Sequence, residues 1–128
     1  MTSHAADDQT PSIFSRIVAR EIPARIVAET DNVIAFHDIA PQAPLHVVVT
    51  TKSQSYANVV ELAAADPALL AELIAVAEQV ATELAPAESA AGQFRLIFNT
   101  GAEAGQTVFH VHAHVLAGTF KEGSLVGH

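Results

Sequence analysis

The chain has 128 residues, a formal charge of −8 at pH 7 and no cysteine, and half of its residues are apolar. That length suits one domain, and that composition supports a packed core and excludes a disordered protein. The acidic balance excludes a broad basic footprint for polymeric nucleic acid, and the lack of thiols excludes disulfides and thiolate metal sites.

Residues 1–10 are polar and acidic, with no basic start leading into an apolar run. A disordered tail is expected there, and no signal peptide. The greasy stretches are too short and too often broken by acids to span a bilayer, so the reading is a soluble, cytoplasmic protein with no membrane partner. The domain itself is expected over 11–120, with a patternless tail at 121–128.

Ser12 offers an N-cap for a short helix carrying Ile13, Phe14 and Ile17, which must end before Pro23. Residues 24–30 read as a strand. Asp31-Asn32 then turns the chain into a second strand, Val33 to His37. Pro41 and Pro44 mark a loop. Leu45 to Thr51, with three consecutive valines, reads as a well-buried strand. Asp66 and Pro67 open the strongest helix, whose apolar stripe is Leu69, Leu70, Leu73, Ile74, Ala77, Val80, Ala81 and Leu84, and Pro86 closes it. Gln93 to Asn99 is a further strand, and a glycine-containing loop from Thr100 to Thr107 leads into a last strand from about Val108 to Leu116. Antiparallel strands with one long helix inserted late predict an α+β fold, the sheet packing one face on that helix.

Three of the seven histidines fall within five residues, His110, His112 and His114. On a strand all three rings point to one face, roughly 6.5–7 Å apart, while Val111, Ala113 and Val115 point into the core. One phosphate-sized group can then touch two rings. The competing readings are a solvated strand face and a metal site, since His-x-His on a strand chelates metals and His37, His46 or Asp38 can complete a shell. The surroundings favour a phosphate. Gly105 lets backbone N–H groups approach an anion, Gln106 and Thr107 add side-chain donors, and Asn99 ends the preceding strand within reach of a shared site.

Gly105 to Leu116 resembles the signature of the histidine triad (HIT) family, His-x-His-x-His followed by two apolar residues. The likeness continues upstream through Ile13-Phe14, Glu21 to Ala24 and Ala35 to His46, which resemble the branch of histidine triad nucleotide-binding proteins. It spans about Ile13 to Leu116. The resemblance implies a HIT-like fold, a five-stranded antiparallel sheet with one long and one short helix, assembled as a homodimer. It also implies hydrolysis of purine nucleoside phosphoramidates and related acyl-nucleotides, a small-molecule purine nucleotide as substrate, and no cofactor.

By matching position, the resemblance makes His112 the nucleophile and His114 a hydrogen-bonding partner of the phosphate, with His46 and His110 as the supporting network. Asn99 and Thr107 fall at the phosphate, with Thr107 near the leaving group, and Gly105, Gln106 and Val108 are counted with them as substrate-binding residues. Asp38 falls at the ribose hydroxyls. Ile13, Phe14, Ile17, Ile22, Phe36 and Ile39 line the base pocket, although for Ile17 and Phe36 an ordinary core position is an equal reading.

Bacterial relatives often hold a structural zinc with a Cys-x-x-Cys pair and two histidines. Ser12, Ser15 and Gln54 stand at three of those places here, so no metal is expected. The loop from Glu103 to Thr107 also resembles the diadenosine-polyphosphate hydrolases. A dinucleoside polyphosphate hydrolase, and a nucleotide-binding regulator with incidental catalysis, are therefore the alternative functions.

Overall fold

Residues 10–118 are described by a computed structural model. The expected tail at 121–128, and all of the expected tail at 1–10 except Thr10, lie outside the described residues. The elements in chain order are α1 (Ile13–Val18), β1 (Ile26–Glu29), β2 (Val33–His37), β3 (Leu45–Thr51), α2 (Val59–Ala65), α3 (Pro67–Glu83), β4 (Arg95–Ile97), a 3-10 turn (Ala102–Ala104) and β5 (His112–Ala117). The five strands form one antiparallel sheet in the order β1-β2-β3-β5-β4. The fold is α+β, as the resemblance implied.

Alternation along the central strands explains why they are apolar throughout. Val33, Ala35, Val47 and Val49 face α3, where they meet Leu73, Val76, Ala77, Val80 and Ala81 in the main core. Ile34, Phe36 and Val48 face the other way, onto Phe14 and Ile17 of α1. A sheet covered on both faces needs apolar residues at successive positions, not only at alternate ones.

Both predicted caps are made. The Ser12 side chain accepts from the Ser15 N–H, and Asp66 accepts from the Leu69 N–H with Pro67 in the first turn. The structure adds α2, which the sequence reading left out. Its signal is Asn58, whose side chain accepts from the Glu61 N–H, and Glu61 in turn accepts from the Ala57 N–H, closing the helix start. Within the α3 stripe, Val76 is buried in place of Ile74, which is exposed like Leu84 at the helix end.

The last strand begins at His112, four residues later than expected. Just upstream the backbone leaves the ladder. The Val111 N–H donates to the Tyr56 carbonyl at 2.9 Å, and the Val111 carbonyl accepts from the Thr50 hydroxyl at 2.7 Å. A side chain and a loop carbonyl therefore take the partners that a neighbouring strand would supply. At the far end Gly118 has φ +96°, and a Cβ there would meet the Pro44 ring at 2.8 Å, so only glycine lets the chain turn off β5 beneath the proline loop.

Candidate active site

The predicted alternation along residues 110–115 holds. Val111, Ala113 and Val115 join the α3 core, and the three histidine rings lie on the α1 side, where the Phe14 ring makes edge contacts with His110 and His112 at 5.7 and 4.8 Å. The His112 and His114 rings are 5.2 Å apart, closer than strand rise alone predicts, because they lean into an edge-to-face contact. In the sheet, β3 lies beside β5 and brings His46 to His114.

The hydrogen bonds fix which nitrogen of each ring carries its proton. A carbonyl oxygen only accepts, so His112 Nδ1, 2.8 Å from the His110 carbonyl, must donate. Neutral His112 is left with a bare Nε2. By the same rule His110 Nε2 donates to the Thr51 carbonyl at 2.6 Å, so its Nδ1 accepts from the Ser12 hydroxyl at 2.6 Å. The Gln42 N–H donates to His46 Nδ1 at 3.0 Å, which puts the His46 proton on Nε2. That proton is donated to His114 Nδ1 at 3.0 Å, and His114 therefore carries its own on Nε2. Side by side stand one ring offering a lone pair and one offering an N–H.

Electrostatics keep all four rings uncharged near neutral pH. Burial pushes the His110 pKa down to about 4, against the pull of the Thr51 carbonyl. Burial, reinforced by the His112 and His46 rings, takes His114 to about 4 despite the nearby Asp38 carboxylate. His112 and His46 are also lowered, mainly by burial. The cause is desolvation of the cation, which a neutral ring avoids.

Asp38 sits at the mouth of the His46–His114 pair. Its Oδ2 lies 3.4 Å from His46 Nε2 and 3.9 Å from His114 Nδ1, while its Oδ1 accepts from the Ala40 N–H at 2.8 Å. These three side chains place their donor atoms within 4.8 Å of one another, the spacing of a cation site. The tautomers do not suit one. A metal needs bare nitrogens at both His46 Nε2 and His114 Nδ1, and the Gln42 N–H keeps the proton on His46 Nε2. The places of the bacterial zinc ligands do not suit a metal either. The Ser12 N–H and the Ser15 hydroxyl donate to Gln54 Oε1 at 2.8 and 2.6 Å, and Gln54 Nε2 donates to the Thr10 carbonyl at 2.8 Å. Hydroxyls and an amide, engaged with one another, are a poor donor set for zinc.

The loop before β5 departs from expectation. The Gln106 side chain is buried, donating to the Ala57 and Val108 carbonyls and accepting from the Gly101 N–H. The Gly105 and Gln106 N–H groups donate to the Ala102 and Gly101 carbonyls. These donors hold the loop closed, and the buried Gln106 amide is paired internally, as a buried amide must be. Thr107 is exposed. Asn99 lies two residues beyond β4, past the last paired residue, Ile97.

Of the apolar residues expected around a base, Phe14, Ile17 and Phe36 are core members of the α1 cluster and Ile22 packs against it half-buried, as does Val108 of the loop before β5. Ile39 is fully exposed and Ile13 nearly half so. Sequence reasoning missed the anchoring roles of Ser12, Gln42, Thr51 and Gln54, although standing at the relatives' zinc-ligand places already signalled that Ser12, Ser15 and Gln54 meet.

The HIT domain model matches residues 19–121. This chain belongs to the HIT family. An uncharacterized HIT-like protein of the cyanobacterium Synechocystis is 48% identical over 110 residues, covering 84% of this chain and 90% of that protein. The purine nucleoside phosphoramidase of Escherichia coli K12 is 40% identical over 107 residues, covering 84% and 87%. Among solved structures, a HIT family hydrolase from Clostridium thermocellum superposes with a TM-score of 0.78 at 39% identity, covering 89% of this chain and 96% of the other. The HIT histidines are thus carried on a HIT fold, and the family's hydrolase chemistry applies in general terms. No helix among the described residues is long and apolar enough to cross a membrane.

Proposed function

We propose that this HIT protein hydrolyses purine nucleoside phosphoramidates through a nucleotidyl-His112 intermediate. The observation that carries this reading is the tautomer of His112: Nδ1 is committed to the His110 carbonyl, and Nε2 keeps its lone pair. A neutral imidazole is a sound nucleophile for a phosphoryl centre, whose oxygens repel anions.

In the first displacement His112 Nε2 forms a bond to the α-phosphorus as the phosphorus–nitrogen bond to the amine breaks, and the departing amine takes up one proton from solvent water. In the second, water displaces His112, gives the nucleoside monophosphate and releases one proton to solvent. Splitting the reaction lowers each barrier. His114, with its proton on Nε2, donates to a non-bridging oxygen as charge builds there, and Asn99 and Thr107 assist. Asp38 takes the ribose hydroxyls, exchanging its approach to His46 for two donors. Ile13 and Ile39, exposed without ligand, fold over the base, with Phe14 and Ile22 behind. The substrate is a small nucleotide. The working form is a homodimer in the cytoplasm, with Ile74 and Leu84 on the free side of α3 as the first surfaces to cover.

A substrate panel tests the reading. Adenosine 5′-phosphoramidate should turn over well ahead of diadenosine polyphosphates. The reverse order favours a dinucleoside polyphosphate hydrolase, and tight nucleotide binding with slow turnover of everything favours a regulator.

A further inference from the structure

His110 is the ring of the row that is closed at both nitrogens. Nε2 donates to the Thr51 carbonyl at the end of β3, and Nδ1 accepts from Ser12. The proton count at Ser12 has one solution. Its hydroxyl accepts from the Ser15 N–H at 3.0 Å as the α1 cap. The Ser15 hydroxyl gives its proton to Gln54 at 2.6 Å, and the Ser12 hydroxyl, 3.3 Å from Ser15 Oγ but 2.6 Å from His110 Nδ1, gives its proton to the ring. Gln54 also holds the Ser12 backbone N–H. The start of α1 is thus clasped to the end of β3 and to the first histidine.

Two routes run from this clasp to His112. One passes through His110, whose carbonyl holds the His112 Nδ1–H at 2.8 Å. The other passes along α1 to Phe14, whose ring rests edge-on against His112 at 4.8 Å. We propose that Ser12 is a positioning residue for the reaction: its single hydroxyl, shared between the α1 cap and His110 Nδ1, holds the His110 ring and backbone so that His112 presents a bare Nε2. Gln54 supports the same clasp. The proposal rests on His112 being the nucleophile.

A plain capping role is the competing explanation, and three variants separate the two. Ser12→Thr keeps both the capping oxygen and the hydroxyl proton. Ser12→Asp keeps a good capping oxygen but can only accept from His110 Nδ1. Ser12→Gly loses the hydroxyl while remaining an acceptable N-cap residue. The readouts are kcat and KM on adenosine 5′-phosphoramidate, and the nitrogen chemical shifts of the His110 imidazole, which need no turnover. Ser12→Thr should stay within about twofold of the parent, while Ser12→Asp and Ser12→Gly should lose about 10–100-fold in kcat with KM little changed. In Ser12→Asp the His110 ring should gain a proton on Nδ1, whereas in Ser12→Gly the Thr51 carbonyl keeps the proton on Nε2 and the Nδ1 shift should move because its donor is gone. Parent-like kcat in Ser12→Asp means that capping alone matters and overturns the proposal. If that variant does not fold, Ser12→Gly decides: an unchanged His110 Nδ1 shift or unchanged kcat overturns it equally. His112→Ala is assayed in parallel. Its inactivity beside fully active Ser12 variants defeats this proposal alone, whereas an active His112→Ala protein defeats the nucleophile reading and this proposal with it.

Discussion

The two ends of the histidine row have the same residue type, the same strand face and the same pKa direction, yet opposite fates. His110 is completely buried beneath α1, with a partner at each nitrogen. His114 is partly exposed, with one nitrogen paired to His46 and its Nε2–H without a hydrogen bond among the described residues. The difference lies in what covers each ring. Helix α1, held by Ser12 and Gln54, closes over the first, while the loop from Asp38 to Pro44 supports the other from the side. One end is held at both nitrogens and the other is left open at one, with His112 between them sharing features of both.

The sharpest way to break that comparison is to remove the ring between the ends. His112→Ala should lose turnover by about 10⁴-fold or more, as loss of a nucleophile does. It should remain folded and still bind nucleotide through Asp38, Asn99 and His114. Stereochemistry at a chirally labelled phosphorus checks the parent: two displacements retain configuration, and inversion would replace His112 with direct attack by water.

Acid should strain both ends. A buried histidine with a folded-state pKa near 4, against about 6.5 when unfolded, binds fewer protons folded than unfolded between those values. Stability is therefore full above about pH 6.5 and falls as pH drops toward 4, by at most about 3 kcal/mol for each of His110 and His114. Denaturant unfolding at pH 7.5 and pH 5 measures this, and a pH-independent midpoint would contradict it. A bound nucleoside monophosphate sharpens the contrast, because its anionic phosphate should raise the His114 pKa and leave that of His110 unmoved. The acid limb of kcat/KM should lie below the ordinary imidazole value, since burial lowers His112 as well.

At the open end, Asp38→Ala should weaken ribonucleotides relative to 2′-deoxyribonucleotides by about 1.5–3 kcal/mol, measured by calorimetry. Its bond to the Ala40 N–H supplies the rival explanation, that Asp38 only shapes the loop. Equal losses for both sugars would support the rival. The smallest effect is expected beneath the closed end. Thr50→Val leaves the Val111 carbonyl without its hydroxyl partner and should cost about 1–2 kcal/mol of stability. An unchanged denaturation midpoint would mean that the backbone there re-pairs with the sheet.

Much of this was legible in the chain itself. Alternation over residues 110–115 separates imidazoles from core residues by strand geometry alone, and Asp66-Pro67 and Ser12 announce helix starts because capping is a local event between residues three apart. The signature motif carried the family for the same reason, being a contiguous stretch. Tertiary structure decided whatever depends on partners distant in sequence. The Tyr56 carbonyl and the Thr50 hydroxyl delay β5 to His112, and no local pattern foretells either contact. Gln106 looked like a free donor until Ala57, some fifty residues away, claimed its amide. The tautomers of the four rings were settled by Ser12, Gln42, Thr51 and the His110 carbonyl, because a histidine's proton goes where its hydrogen-bond partners require, and those partners meet only when the sheet and α1 have closed around them.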